Sequence, residues 1–159
     1  MSARTRSVIG GALAILACNA VGITGALFTS TDTAWYSALA KPSFQPPGWL
    51  FGPVWTLLYS MMGVAIYRVF QRRDQPGGRR AMTLFAVQLV LNGVWTPVFF
   101  GAGAITLALG VLLALWVALA LTIRSFAAID RVAAWLLAPY LLWVSFATVL
   151  NAAIVSLNT

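Results

Sequence analysis

Residues 104–123, AITLALGVLLALWVALALTI, run for twenty positions without one charged side chain. An α-helix rises about 1.5 Å per residue and the hydrocarbon core of a bilayer is roughly 30 Å thick, so about 20 apolar residues is the length that crosses it. Working outward from this run, four more of similar character lie at about 8–28, 49–70, 81–100 and 132–157. Backbone groups in lipid must satisfy one another, which leaves the helix as the form such runs take. The sequence therefore predicts an all-α membrane protein, a bundle of five transmembrane helices forming a single domain over residues 1–159. Between the spans lie a polar, Pro-rich first loop (29–48), a basic loop (71–80), a tight turn at Gly101-Ala102-Gly103 and a short loop at 124–131.

Composition supports this reading. The chain is 61% hydrophobic and 8% charged, against roughly 45–50% and about 25% for soluble domains. The net charge of +7 does not mark a nucleic-acid binder, because a phosphate footprint needs Lys and Arg gathered on a water-facing surface. Here they punctuate apolar runs. Nine of the ten basic residues fall on one side of the predicted bundle: Arg4 and Arg6, then Arg68, Arg72, Arg73, Arg79 and Arg80, then Arg124 and Arg131. Only Lys41 lies opposite, so the positive-inside rule predicts an integral, multi-pass protein with a cytoplasmic amino terminus. Arg4 and Arg6 before an apolar stretch, with Ile15-Leu16-Ala17-Cys18 loosely like a lipoprotein cleavage site, raise the alternative of a signal segment. The run continues to Phe28, longer than a usual signal core, and is read as a retained first span.

Conventional catalysis has little to work with. The only acids, Asp32, Asp74 and Asp130, fall in predicted loops, so no carboxylate lies mid-membrane, where proton-coupled exporters carry one. There is no histidine and a single cysteine, Cys18, which excludes an intramolecular disulfide, a zinc site and histidine-ligated haem. Ser60 and Ser145 have no triad partner. No metal is expected and no cofactor is required.

What the spans do contain is aromatic and amide side chains in four-residue register. Trp55 and Tyr59 share a face of the second span, with Met62 next along it. Gln88, Asn92, Trp95, Thr96 and Phe99 share one of the third, and Trp143, Ala147 and Asn151 one of the fifth. Trp35, Tyr36 and Trp49 fit an interfacial belt, and Asn or Gln can join helices by hydrogen bonds. Trp55, Trp95 and Trp143 sit deeper, and together with Asn92 they are better explained by a pocket for a flat, mostly apolar ligand. Two stripes of small residues, Gly10-Ala14-Cys18-Gly22-Ala26 and Gly110-Ala114-Ala118-Thr122, allow close helix approach, either within the chain or across a dimer. The first loop, stiffened by its prolines, is either a lid or a plain connector.

Trp35-Tyr36, Lys41-Pro42, Pro46-Pro47, Gly52-Pro53-Val54-Trp55, Leu91-Asn92, Trp95 to Gly101 and Pro139-Tyr140 through Trp143 to Asn151 resemble the translocator protein family, also called the tryptophan-rich sensory protein or peripheral benzodiazepine receptor family. The resemblance runs in order over about residues 8–157. It implies a five-helix bundle, usually a homodimer, that binds porphyrins such as protoporphyrin IX and, in some members, cholesterol and benzodiazepine-type or isoquinoline drugs. By the same resemblance Trp55 and Trp143 match tryptophans of the porphyrin site and its photochemistry, while Asn92, Trp95, Ala147 and Leu150 match pocket-wall positions. With the helical faces, the expected ligand-binding set is Trp55, Tyr59, Asn92, Trp95, Phe99, Trp143, Ala147 and Leu150, under a lid carrying Trp35, Phe44 and Pro47. Two departures stand out. Phe44 occupies a position where many members have tryptophan, and Ala152 and Ala153 replace the aromatics of the cholesterol-recognition pattern with no Lys or Arg following. That pattern is weak even when complete, so specific cholesterol recognition is not expected.

The function expected is a membrane tetrapyrrole-binding sensor or transport-regulating protein, with membrane lipids, a porphyrin-type ligand and a second copy of the chain as partners, and no nucleic acid. The alternatives are an enzyme that degrades porphyrin in light or under oxidation, with Trp55 and Trp143 as its reactive residues, and a passive carrier or membrane scaffold.

Overall fold

The computed structural model describes residues 2–159, except that the side chains of residues 3 and 4 lie outside the description, and with them that of Arg4 in the charge count above. The described residues contain helices and no strand. Helices α1 (Ala3–Phe28), α3 (Phe51–Phe70), α4 (Gly78–Thr96), α5 (Ile105–Ala127) and α6 (Arg131–Asn158) are the five expected spans, and α2 (Ala34–Ala38) is a short helix in the first loop. All five long helices are apolar and long enough to cross a membrane.

The differences from the sequence reading lie at the ends. Helix α1 starts about five residues before the expected position 8 because Ser2 caps it, its Oγ accepting from the Thr5 N–H. Helix α5 continues past Ile123 to Ala127. Arg124 marks where the hydrocarbon ends and not where the helix does, since basic side chains near span ends reach out to the interface. Leaving α4, Pro97 has no N–H to donate into the helix, and the chain widens into a π turn over Pro97–Gly101 closed by Ala102 N–H to the Pro97 carbonyl at 2.9 Å. Gly103, at φ 63°, then makes the left-handed step that glycine allows. Helix α2 escaped the sequence reading: Thr33 Oγ1 accepts from the Tyr36 N–H and starts it.

Around the bundle the order is α1, α3, α6, α5, α4 and back to α1. The α1–α3 seam is built from the first small-residue stripe. Gly10 lies under the Tyr67 ring, Gly22 under the Tyr59 ring, and Gly63 of α3 against the backbone of Ala14 and Ile15. Of the two roles open to this stripe, packing within the chain is the one it fills. The second stripe divides: Ala118 and Thr122 are buried, whereas Gly110 and Ala114 face outward.

The arginine-bearing end of the bundle is solid. Met62, Ala65, Val69, Ala81, Leu119, Phe126, Ala133 and Leu137 are fully buried there, and Phe85 stacks on Phe126 at 5.9 Å between centroids. Asp130, read from sequence as a loop acid, is the N-cap of α6, its Oδ1 accepting from the Val132 and Ala133 N–H groups. The same carboxylate takes the Arg68 guanidinium at 3.0 Å and that of Arg72 as well, tying α3 to α6. Burial disfavours its charge, but the Ala133 N–H, the Arg68 hydrogen bond and the charges of Arg68 and Arg72 outweigh burial and hold the carboxyl below its usual range.

A hollow aromatic cavity under the first loop

At the opposite end the ring of helices encloses a cavity of about 450 Å³, within the roughly 300–1,000 Å³ of small-molecule sites. All five long helices contribute to its wall. It reaches from the loop to Leu115, ten residues below the start of α5, or about 15 Å and hence near the bilayer midplane.

Trp55 is its central aromatic. The register that puts Trp55 above Tyr59 on α3 brings their rings to 5.5 Å, and across the seam Trp55 meets Tyr140 at 6.1 Å and Trp143 at 6.4 Å and 89°. Edge-to-face pairing of this kind suits the opposite charge of ring edge and ring face. On the far wall Trp95 stacks on Phe99 at 5.2 Å and meets Phe100 edge-on at 6.1 Å. Neither the Trp55 nor the Trp143 indole N–H donates to another described residue, whereas the Trp95 N–H reaches Asn151 Oδ1 at 3.4 Å.

Two amides fix the wall, Asn92 below the aromatics and Asn151 near the loop end. Asn92 accepts from the Tyr59 hydroxyl and donates to the Tyr140 hydroxyl at 2.8 Å, so one side chain of α4 holds α3 and α6 together. Asn151 donates to the Ile105 carbonyl at 3.0 Å and bridges α6 to α5. These amides satisfy one another's neighbours in a place where an unpaired polar group is costly. Among the described residues no charged side chain lines the cavity.

All eight residues expected in the ligand-binding set, Trp55, Tyr59, Asn92, Trp95, Phe99, Trp143, Ala147 and Leu150, line this one cavity. The three expected lid residues do not. Trp35 turns aside to pack on Phe99 at 6.0 Å and over Gly103, the half-exposed Phe44 meets Phe146 edge-on at 6.4 Å, and Pro47 is exposed. Thr29, Thr31, Tyr36, Gln45 and Gly48 are the loop residues that line the cavity. Proline spacing says that a loop is stiff but not which of its side chains points down, and the unrecognised α2 helix is what turns Tyr36 inward and Trp35 aside. Gln45 donates to the Tyr36 hydroxyl at 3.2 Å, while its Oε1 is buried with no partner among the described residues.

Lys41, which only counted toward topology in the sequence, holds this loop in shape. Its ammonium donates to the Tyr36 carbonyl at 2.6 Å and sits 4.3 Å above the Tyr36 ring centroid. Asn158, in the last turn of α6, both donates to and accepts from the backbone of Ala40 at 2.9 Å. Phe51 and Phe146 also line the cavity, each close to Trp143 at 5.7 and 5.6 Å. Phe51 is four residues before Trp55, so the same helical step would have found it.

With tryptophans and amides converging on one cavity, the sequence match is decisive: residues 14–157 match the TspO/MBR family. The chain belongs to that family. It is 42% identical to the tryptophan-rich protein TspO of Chlorobaculum tepidum over 158 residues, 96% of this chain and 98% of that protein. The tryptophan-rich sensory protein of Cereibacter sphaeroides is 40% identical, covering 91% of this chain and 88% of its own length. The human translocator protein is 43% identical over 122 residues, 74% of this chain and 70% of its own. The TspO/MBR chain described here is thus an integral, multi-pass membrane protein.

Proposed function

We propose that this TspO/MBR protein is a membrane sensor or transport-regulating protein whose ligand is a flat tetrapyrrole of the protoporphyrin IX class, held in the cavity beneath the first loop. The observation that carries the reading is the joint one: Trp55, Trp95, Phe99 and Trp143 present aromatic faces and edges to an uncharged space, with the Asn92 amide at its base and the orphaned Gln45 acceptor at its roof. The names of the relatives, sensory protein and translocator protein, agree with sensing or transport regulation. Binding is apolar and aromatic, without axial ligation, because the chain has no histidine and Cys18 is buried in the α1–α3 seam. Tryptophan quenching on titration with metal-free protoporphyrin and with haem tests this: the metal-free ring binds at least as well. A strong preference for haem, with the spectrum of protein-ligated iron, overturns it.

A second reading, light- or oxidant-driven degradation of the porphyrin, is favoured by one observation, the edge-on Trp55–Trp143 pair whose indole N–H groups are not engaged by other described residues. For orientation, the arginine-rich end and the amino terminus face the cytoplasm. In a Cys18→Ala background, an impermeant thiol reagent applied to intact cells then labels Ser43→Cys and not Gln75→Cys; the reverse pattern inverts the assignment. The protein acts as a homodimer, a reading supported by the outward-facing Gly110 and Ala114 and tested by crosslinking in native membranes, where absence of a dimer band refutes it.

A further inference from the structure

A second concavity lies away from the ligand cavity, on the outer surface of the α1–α3 seam at the arginine-bearing end. It is an open groove of about 530 Å³. Gly11 and Ala12 form its floor because they carry little or no side chain, and Val8 and Ile15 of α1 with Val64 and Tyr67 of α3 form its walls. From Ser7 to Ile15 the groove runs eight residues along α1, or about 12 Å, most of the roughly 15 Å hydrocarbon depth of one leaflet. Its walls are apolar along that length.

The end at headgroup depth has a different chemistry. Gln71 donates to the Ser7 hydroxyl at 3.1 Å and joins the two helices across the top, and Arg68 lines the groove beside them. The Arg68 guanidinium uses Nε and one terminal nitrogen on Asp130, which it shares with Arg72. Two cations on one carboxylate leave an unbalanced positive charge, and the Arg68 side chain is 35% exposed. The remaining N–H groups of the fork suit a phosphate oxygen.

We propose that this groove binds one anionic phospholipid of the arginine-bearing leaflet, with an acyl chain between α1 and α3 over Gly11 and Ala12 and the headgroup phosphate on Arg68. An apolar channel of leaflet length ending at an incompletely neutralised guanidinium matches a charged headgroup on an acyl chain, whereas a zwitterionic lipid brings its own cation to the same place. The site is separate from the ligand cavity and does not depend on what the latter holds.

The test is lipid retention by the purified full-length protein, read by native mass spectrometry after exchange into mixed micelles of phosphatidylglycerol and phosphatidylcholine with identical acyl chains. The wild type retains one phosphatidylglycerol about tenfold over phosphatidylcholine. Ala12→Leu, which fills the groove floor from an exposed position, and Arg68→Gln each reduce that preference to about onefold. Arg124→Gln, at the same end of the bundle but outside the groove, leaves it at about tenfold. Equal retention of the two lipids by the wild type, or an unchanged preference in Ala12→Leu, overturns the proposal. So does an equal loss in Arg124→Gln and Arg68→Gln, which assigns the attraction to the whole basic face. Arg68→Lys, which keeps the charge beside Asp130, guards against misfolding and retains at least half of the preference if the phosphate is held there.

Discussion

The two ends of this bundle are made from the same five helices and do opposite things. At the arginine end, Ala65, Val69, Ala81 and Ala133 let helices meet closely and an ion cluster on Asp130 closes the seam. At the loop end, the helices carry Trp55, Trp95 and Trp143 inward, and large rings meeting edge to face prop the walls apart around a cavity. Lipid gives helices no hydrophobic reason to associate, so close packing and hydrogen bonds must do it. A bundle tightly packed at one end can leave the other hollow. Asn92 stands at the boundary between the two regimes.

The largest test of that division is Asp130→Ala. It removes the cap of α6 and leaves Arg68 and Arg72 without a counter-charge, and because both arginines are about a third exposed solvent limits the loss to about 3 kcal/mol. A thermal melt in detergent reads it, and Asp130→Asn, which keeps a capping oxygen, recovers part of it. The pH dependence follows from the depressed folded pKa. The stabilisation is fully present above the unfolded value of about 3.9 and is lost as pH falls through the lower folded value. Wild-type stability therefore drops on acidification below about pH 4, and Asp130→Asn loses that component of the drop.

Next in size, Gly63→Ala drives a methyl group into the backbone of Ile15, and overpacking of this kind costs about 2 kcal/mol. It should lower the melting temperature, while ligand affinity, measured well below the melt, changes little because the damage lies in the solid half. A large affinity loss without destabilisation would mean that the two halves are not separable. Asn92→Leu acts at the boundary. The Tyr59 and Tyr140 hydroxyls lose their shared partner, which costs about 1–2 kcal/mol, and here both stability and affinity fall.

The smallest effect distinguishes holding a porphyrin from degrading it. Trp55→Phe and Trp143→Phe keep a ring face but lose the indole N–H and its easier oxidation, so binding weakens by about 0.5–1.5 kcal/mol. Photobleaching of bound porphyrin falls only in step with occupancy if the protein is a sensor or regulator, and far more if it is an enzyme. If both substitutions leave affinity and photochemistry unchanged, the aromatic end serves packing alone.

The bundle was legible because a spanning segment announces itself by length and lack of charge, as in residues 104–123. The cavity wall was legible because Trp55 and Tyr59, or Trp143 and Ala147, repeat at the helical step, and that step alone brings them to one face. The loop was not. Trp35 and Tyr36 are neighbours of similar character, and which one faces the cavity depends on the Thr33 cap of α2 and on Lys41 folding back over Tyr36, contacts that follow no period. Asp130 was invisible as a hub for a related reason: its partners Arg68 and Arg72 lie about sixty residues away in sequence and were fully accounted for as topology signals.

The paired hydrogen bonds between Asn158 and Ala40 have a mechanical meaning. They staple the roof of the cavity to the last turn of the longest helix, so the chain is clasped shut into a loop of 118 residues by two weak bonds. Opening the roof and fraying the end of α6 are then one event. A fluorophore placed beside Asn158 would register opening of the roof, and a bulky fusion joined directly after Thr159 would load the same hinge.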